Sequence, residues 1–305
     1  MVILLGSTGY IAQEFKKQLD KLNIDTLCLS REEYNYYDLE TLYEIVRSPN
    51  RQFLINCAGF IGQPSLDECE NNQEETHRAN VGLVRTISKA CKMTKTPWAH
   101  ISSSCIYTDE SGAKNFTEND SPNFSFDTNN CNYYCGTKAE AERVIEEEAE
   151  SCYIWRLANV FDEYDGPRNF LSKVINHQMI FDANNSFSHR GDFVKYCLAL
   201  WQAKSDFGIY NVVNSGSIST KEISEKINKY LGINKKFVFF ESQRQMLKLG
   251  AIMAPRSYCT LSNTKLKKAL HPTKLRTARK ALEDSLKNWV EDKIEDNVIS
   301  KSFWD

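Results

Sequence analysis

The chain has 305 residues, enough for one large domain or a large domain with a smaller companion, and its 41% hydrophobic content can fill a sizeable core. Lys and Arg number 38 against 40 Asp and Glu, so the formal charge of −2 gives no electrostatic reason to expect a nucleic-acid or acidic-membrane partner. The apolar opening Met1–Leu5 reaches Gly6 too soon to be a signal core, and no later apolar run would span a bilayer, which predicts a cytoplasmic protein.

Val2–Leu5 reads as a short strand, followed by a glycine turn and a helix with apolar positions at Ile11, Phe15, Leu19 and Leu22. The alternation then repeats, with strands at Thr26–Leu29, Phe53–Cys57, Trp98–Ser102 and Cys152–Arg156. Helices are expected between them at Leu39–Arg47, Gln73–Lys92 and Tyr133–Glu148. This is an α/β pattern: a Rossmann-type, doubly wound parallel sheet with helices on both faces and its ligand at the carboxyl ends of the strands. Beyond about Asn159 the rhythm weakens, with helices near Asn169–Gln178, Asp192–Ala203, Thr220–Leu231 and Thr277–Glu291. We therefore expect a dinucleotide-binding domain over 1–160 and a smaller substrate-binding region over 161–305, interleaved with the core. The polar stretch Asn115–Asn132 reads as a long loop, either functional or a solvated insertion.

Gly6-Ser7-Thr8-Gly9-Tyr10-Ile11-Ala12 joins the first strand to the first helix, where backbone N–H groups and the helix N-terminus can face a pyrophosphate. The last position normally needs a small residue for close helix–strand packing, and Ala12 serves. The second strand ends at Ser30-Arg31 without an acid to hold a ribose 2′-OH, so Arg31 points to the 2′-phosphate of NADP; a solvated Arg is the alternative. Asn56-Cys57-Ala58-Gly59 closes the third strand with small residues that let a cofactor approach, giving Asn56, Ala58 and Gly59 as further cofactor contacts.

Tyr134 and Lys138 stand four apart at the start of a predicted helix and share one face, so that Lys138 is expected to depress the Tyr134 pKa for proton exchange with a carbonyl oxygen. Their place after the Trp98–Ser102 strand distinguishes them from a chance surface pair; Tyr133 is one residue off this register. The ten cysteines sit at irregular spacings, several inside apolar runs, as small buried thiols in a reducing compartment would. Cys131 and Cys135 lack the second pair or nearby His that a zinc site needs, so no metal is expected.

With Ser102-Ser103-Ser104-Cys105-Ile106-Tyr107 after the fourth strand, these motifs resemble the extended short-chain dehydrogenase/reductase family across nearly the whole chain. The resemblance implies that Ser103 shares the substrate oxygen with Tyr134 and that Lys138 holds the cofactor ribose. Where the family's sugar-nucleotide dehydratases carry an acidic pair, this chain has Ser104 and Cys105. Cys105 is either a buried small residue or a base beside a ketone, and its setting resembles two epimerase-reductase groups, the GDP-fucose synthases and the nucleotide-rhamnose epimerase-reductases. The second likeness extends to Ser121-Pro122-Asn123-Phe124, to the Gly166–Lys173 block with its Pro167-Arg168-Asn169-Phe170, to Ala254-Pro255-Arg256-Ser257 and to Asn263–Lys267, in the same order. It implies Lys173 as the second epimerisation residue, with His177 its rival on the fucose-type pattern, and Ser104, Asn169 and Arg256 as substrate contacts. Departures are Ala12 in place of a glycine, Ser103 where Thr can stand, and an inserted segment over Asp127–Cys131.

The implied activity is 3,5-epimerisation and then NADPH-dependent 4-reduction of UDP-4-keto-6-deoxy-glucose to UDP-L-rhamnose. A separate 4,6-dehydratase would supply the keto sugar, and the enzyme is compatible with a homodimer. A reductase of dTDP-4-dehydrorhamnose without epimerase activity, a GDP-fucose synthase-like enzyme and a non-catalytic NADP-binding regulatory subunit are the alternatives. Intact Cys105 and Lys173 speak against the first, and Ser103, Tyr134 and Lys138 against the last.

Overall fold

The computed structural model describes residues 1–270 and 275–290. Six parallel strands form the central sheet in the order Thr26–Leu29, Val2–Leu5, Phe53–Asn56, Trp98–Ser103, Cys152–Leu157, Gly208–Asn211. Both faces of such a sheet are covered, so its strands read as continuous apolar runs; Val2–Leu5 and Phe53–Asn56 are buried throughout. Successive side chains point to opposite faces. Val2 and Leu4 enter a core with Phe15, Leu19, Trp155, Phe193 and Leu200, while Ile3 and Leu5 enter another with Leu42, Val46, Leu83, Ile87 and Val144. The sixth strand comes from the later half of the chain, so that half contributes to the sheet as well as to the region beside it.

A third core, with Phe161, Leu171, Val174, Phe187, Ile223 and Leu282, joins the helices Phe170–Asn176, Thr220–Leu231 and Ala278–Lys287. Of the helix expected over Thr277–Glu291, Thr277 is the N-cap, its side chain accepting from the Lys280 N–H, and Glu291 lies outside the described residues. The helix expected over Gln73–Lys92 is interrupted: α-helix Gln73–His77 passes through a π-turn at Arg78–Gly82 into α-helix Leu83–Thr94. The long polar loop is tied down at its start, where Asn115–Phe116 pairs in parallel with Thr260–Leu261.

Strand order reverses between Val2–Leu5 and Phe53–Asn56, and a crevice opens at the carboxyl ends of the strands at such a point. Gly6 and Ala58 meet there, Gly6 in the left-handed region with φ +68°.

Candidate active site

A side chain at Gly6 would be strained at that φ, and its Cβ would lie 2.8 Å from the Ala58 backbone. A Cβ at Gly59 would come within 3.0 Å of Asn80 Oδ1, and one at Gly9 within 3.1 Å of the Gly6 carbonyl. Backbone therefore forms the floor of the crevice. The helix Tyr10–Lys21 opens onto it from Gly9 without a side-chain cap, leaving its first N–H groups for an anion. Ser7 and Thr8 lie in the turn itself, Ala12 is wholly buried against the sheet, and Ile11 packs at the edge of the same core. Tyr10 offers the crevice only its backbone: its ring lies under the Arg190 guanidinium, 4.3 Å from centroid to Cζ, and burial followed by the nearby Asp162 carboxylate raises its phenol pKa. Backbone floor and helix start fit a dinucleotide pyrophosphate. Arg31 stands exposed past the second strand, its guanidinium only loosely paired with Glu75 at 3.8 Å.

The fourth strand delivers Ser103 at its end. Ser103 Oγ accepts from the Cys105 N–H at 3.2 Å, capping a 3-10 turn over Ser104–Ile106 that presents the partly exposed Cys105 thiol. Ser104 is buried, and its carbonyl accepts from Cys259 Sγ. The turn packs on the helix Tyr133–Glu148, which carries Tyr134 and Lys138. That helix starts at a side-chain cap: Asn132 Oδ1 accepts from the Cys135 N–H at 2.9 Å, and Asn132 Nδ2 donates to the Pro255 carbonyl at 2.8 Å, joining the helix to the Ala254–Ser257 block.

Tyr134 does not carry the depressed pKa expected from its spacing to Lys138. Burial raises it well above an ordinary tyrosine, then Cys105, Cys135 and Cys69 add to the rise; Arg168 is the cation that opposes it. Lys138 instead turns inward, donating to the Ile101 carbonyl at 2.7 Å and lying 3.1 Å from His100 Nε2. Its own pKa is lowered to about 8, by burial above all, against the raising effects of Cys105, Glu142 and Cys57. Asn56 is wholly buried, and its amide meets His100 Nδ1 at 3.1 Å.

Lys173 projects from the short helix Phe170–Asn176. Its pKa is lowered first by desolvation, then by Arg168 and Arg256, so three cations from two sequence blocks share this side of the site. Solvent reaches the residue, so the desolvation is that of a cleft and not of a core. Arg256 is held by Asp67 at 2.7 Å. Arg168 donates to the Gly62 carbonyl at 3.2 Å, and with the Gln63 amide turned so that Oε1 faces the guanidinium, as the Arg168 donors require, Gln63 accepts from Nε and Nη2 at 3.2 and 2.7 Å. His177, the rival to Lys173, is exposed at the helix end with Nδ1 on the Lys173 carbonyl at 2.6 Å. The expected substrate contact of Asn169 is not available. It is fully buried; its Oδ1 caps the Lys173 helix through the Leu171 N–H, and its Nδ2 donates to Asp162 and to the Tyr164 carbonyl. Asn169 therefore caps and positions the helix that carries Lys173.

Sequence reading missed His100, Arg168 and Asn80. Asn80, in the π-turn, accepts from the Phe60 N–H at 2.7 Å and donates to the Phe60 carbonyl and to Thr137 Oγ1, tying the loop after the third strand to the helix of Tyr134. A cavity of about 630 Å³ lined by residues such as Asp120, Phe126, Glu142, Arg143 and Arg156 lies beside the same helix. None of the glycine-turn residues, Cys105, Tyr134 or Lys173 lines it, so it is separate from this site.

A parallel sheet with a glycine turn at its switch point, Ser103 at the end of its fourth strand, and Tyr134 and Lys138 on the helix packed beside that end define a Rossmann-like protein of the short-chain dehydrogenase/reductase class. Within it, the chain belongs to the RmlD substrate binding domain family, which matches residues 1–290. It is 29% identical over 277 residues to an Arabidopsis thaliana trifunctional UDP-glucose 4,6-dehydratase/UDP-4-keto-6-deoxy-D-glucose 3,5-epimerase/UDP-4-keto-L-rhamnose-reductase, a match covering 87% of this chain and 39% of that protein. The chain thus spans well under half the length of this relative. It is 27% identical to the bifunctional dTDP-4-dehydrorhamnose 3,5-epimerase/dTDP-4-dehydrorhamnose reductase of the same plant, over 87% of this chain and 86% of that one. Among solved structures, the UDP-rhamnose synthase of Acanthamoeba polyphaga mimivirus superposes with a TM-score of 0.84 at 18% identity, covering 94% of this chain and 98% of that chain. Among the described residues no helix is long and apolar enough to cross a membrane.

Proposed function

We propose that this chain is a nucleotide-sugar 4-keto reductase that first epimerises its substrate, converting UDP-4-keto-6-deoxy-glucose to UDP-L-rhamnose with NADPH. The observation that carries the reading is the meeting of a thiol, a phenol and a cationic wall. The turn that presents Cys105 packs on the helix that carries Tyr134, and Arg168, Lys173 and Arg256 come near from later in the chain. A dehydratase-type acid pair is missing from the Ser104-Cys105 position, which argues against water elimination as this chain's own step. A 4,6-dehydratase elsewhere would supply the keto sugar.

The C4 ketone acidifies the protons at C3 and C5, and Cys105 as thiolate takes one while Ser103 and Tyr134 hold the enolate oxygen. Lys173 returns a proton from the other face. The raised pKa of Tyr134 keeps its proton in place, which suits a group that must donate it to the C4 oxygen. Bound NADPH would supply the hydride to C4, with Arg31 reading its 2′-phosphate and the glycine turn its pyrophosphate. Arg168 and Arg256 would hold the substrate diphosphate, whose charge guanidinium forks match.

The test is to incubate purified protein with NADPH and each 4-keto-6-deoxy nucleotide sugar, UDP- or dTDP-linked, in heavy water and to identify products by NMR. A rhamnose-configured product with deuterium at C3 and C5 is expected. Product formed only from pre-epimerised substrate, with no carbon-bound exchange, would leave a simple reductase; no NADPH oxidation with any of them would overturn the reading.

A further inference from the structure

Three buried polar side chains run in line beneath the site: Asn56 at the end of the third strand, His100 in the fourth, and Lys138 one turn after Tyr134. Asn56 Nδ2 lies 3.1 Å from His100 Nδ1, and His100 Nε2 lies 3.1 Å from Lys138 Nζ. The orientation of Asn56 is fixed, because its Oδ1 accepts from the Ala58 N–H at 3.1 Å in the cofactor crevice. Its NH₂ must therefore donate to His100. A neutral imidazole has one acceptor nitrogen and one N–H, so once Nδ1 accepts, Nε2 carries the hydrogen. An ammonium at Lys138 has no lone pair and would set donor against donor across 3.1 Å. An uncharged amine has one lone pair to accept Nε2–H and N–H groups left for the Ile101 carbonyl, 2.7 Å away.

We infer that His100 is a positioning residue that favours the uncharged amine form of Lys138 in the cofactor-free protein, through donation from Nε2–H to Nζ. The inference rests on the reading of Lys138 as the partner of Tyr134 in reduction, but its physical content does not depend on the substrate. The groups facing Lys138 from each packed element are His100 of the fourth strand, Cys57 after the third, Cys105 of the 3-10 turn and Glu142 on its own helix. Burial drives the His100 pKa well below its ordinary value, with Lys138 pushing the same way, and burial lowers that of Lys138. Cys57, whose thiol is pushed up by burial, holds its proton, so Cys105 first and the buried Glu142 after it are the groups that oppose the effect.

Two measurements on the protein without cofactor test this. In wild-type protein with ¹⁵N-labelled histidine, long-range ¹H–¹⁵N correlation should show His100 as the Nε2–H tautomer at about pH 9, where Lys138 is uncharged; an Nδ1–H tautomer or an imidazolium there would overturn the proposal. Competitive acetylation against pH, read by mass spectrometry, should show Lys138 titrating near 8 while surface lysines titrate above 10. Asn56→Asp, whose carboxylate accepts from Nδ1–H and frees Nε2 as an acceptor, should return the Lys138 profile to that of the surface lysines. A Lys138 profile already like theirs in the parent, or one that Asn56→Asp leaves unmoved, would show that His100 is only core filling. Confirmation of both signatures in a protein that reduces no keto sugar would instead sink the functional reading and leave this one standing.

Discussion

Replacing Glu142 by Gln tests whether the two elements that carry the site are clamped by a buried ion pair. Glu142 lies one turn beyond Lys138, and its carboxylate accepts from Arg156 Nε at 3.0 and 3.1 Å and from Nη2 at 2.6 Å, with both side chains at 3% exposure or less. Ser102, next to Ser103, donates to the same carboxylate, and Arg156 Nη1 donates to Tyr107 Oη at 2.9 Å. Burial lowers the Arg156 pKa, but the Glu142 carboxylate outweighs it and raises the guanidinium pKa. In Glu142→Gln an NH₂ group replaces one acceptor and confronts guanidinium donors, leaving a buried charge without its counterion, a loss of about 3–5 kcal/mol. For a chain of this size that corresponds to a melting point lower by roughly 5–15 °C. Scanning calorimetry or urea unfolding reads the loss, and NADPH oxidation should fall with it as Ser103 and Tyr134 lose their register. The double variant Glu142→Gln/Arg156→Met should recover much of the stability, since removing both charges costs far less than removing one. A single variant within about 1 kcal/mol of the parent, or a double variant worse than the single, would refute the clamp.

Arg31→Ala should lower the NADPH/NADH ratio of kcat/KM by about tenfold, the lower end for an exposed charge-assisted contact, and an unchanged ratio means that Arg31 does not read the phosphate. Tyr134→Phe keeps the ring but removes the proton, so reduction should drop by about 10²–10⁴ in a folded protein; full NADPH oxidation would end the proton-donor assignment. Cys105→Ser should suppress deuterium uptake at C3 and C5 while sparing the reduction of an already epimerised substrate, because an alkanol is a far weaker base than a thiolate. Exchange at the parental rate in Cys105→Ser would remove the thiol from the epimerisation.

Much of this architecture is legible in the sequence because a parallel sheet writes itself as apolar runs, and Val2–Leu5 and the Phe53-Leu54-Ile55 start of the third strand are such runs. The glycine turn is legible for a different reason: Gly6 holds a backbone angle, and a closeness to Ala58, that a side chain would forbid. The π-turn at Arg78–Gly82 is not legible, since a single widened turn leaves the apolar rhythm of Leu83, Val84 and Ile87 after it intact. Asn169 shows how a correct block can hide a wrong role. An Asn before a run of helix residues is a cap by local chemistry, and that signal stood beside the family likeness that made it a substrate contact. Arg168 lay in the same block, yet its bearing on Tyr134 and Lys173 comes only from folding the block back over the fourth strand's turn. His100 is the least legible of all. A lone polar residue inside an apolar strand has no pattern to mark it, and what gives it meaning is the direction of one hydrogen bond. The Ala58 N–H orients Asn56, Asn56 selects the imidazole tautomer, and the tautomer decides what Lys138 can be. The loop after the third strand and Lys138, far apart in sequence, are thereby joined through the same short crevice wall. A change at the Ala58 floor should accordingly be felt in the protonation of Lys138, even where none of its own atoms has been touched.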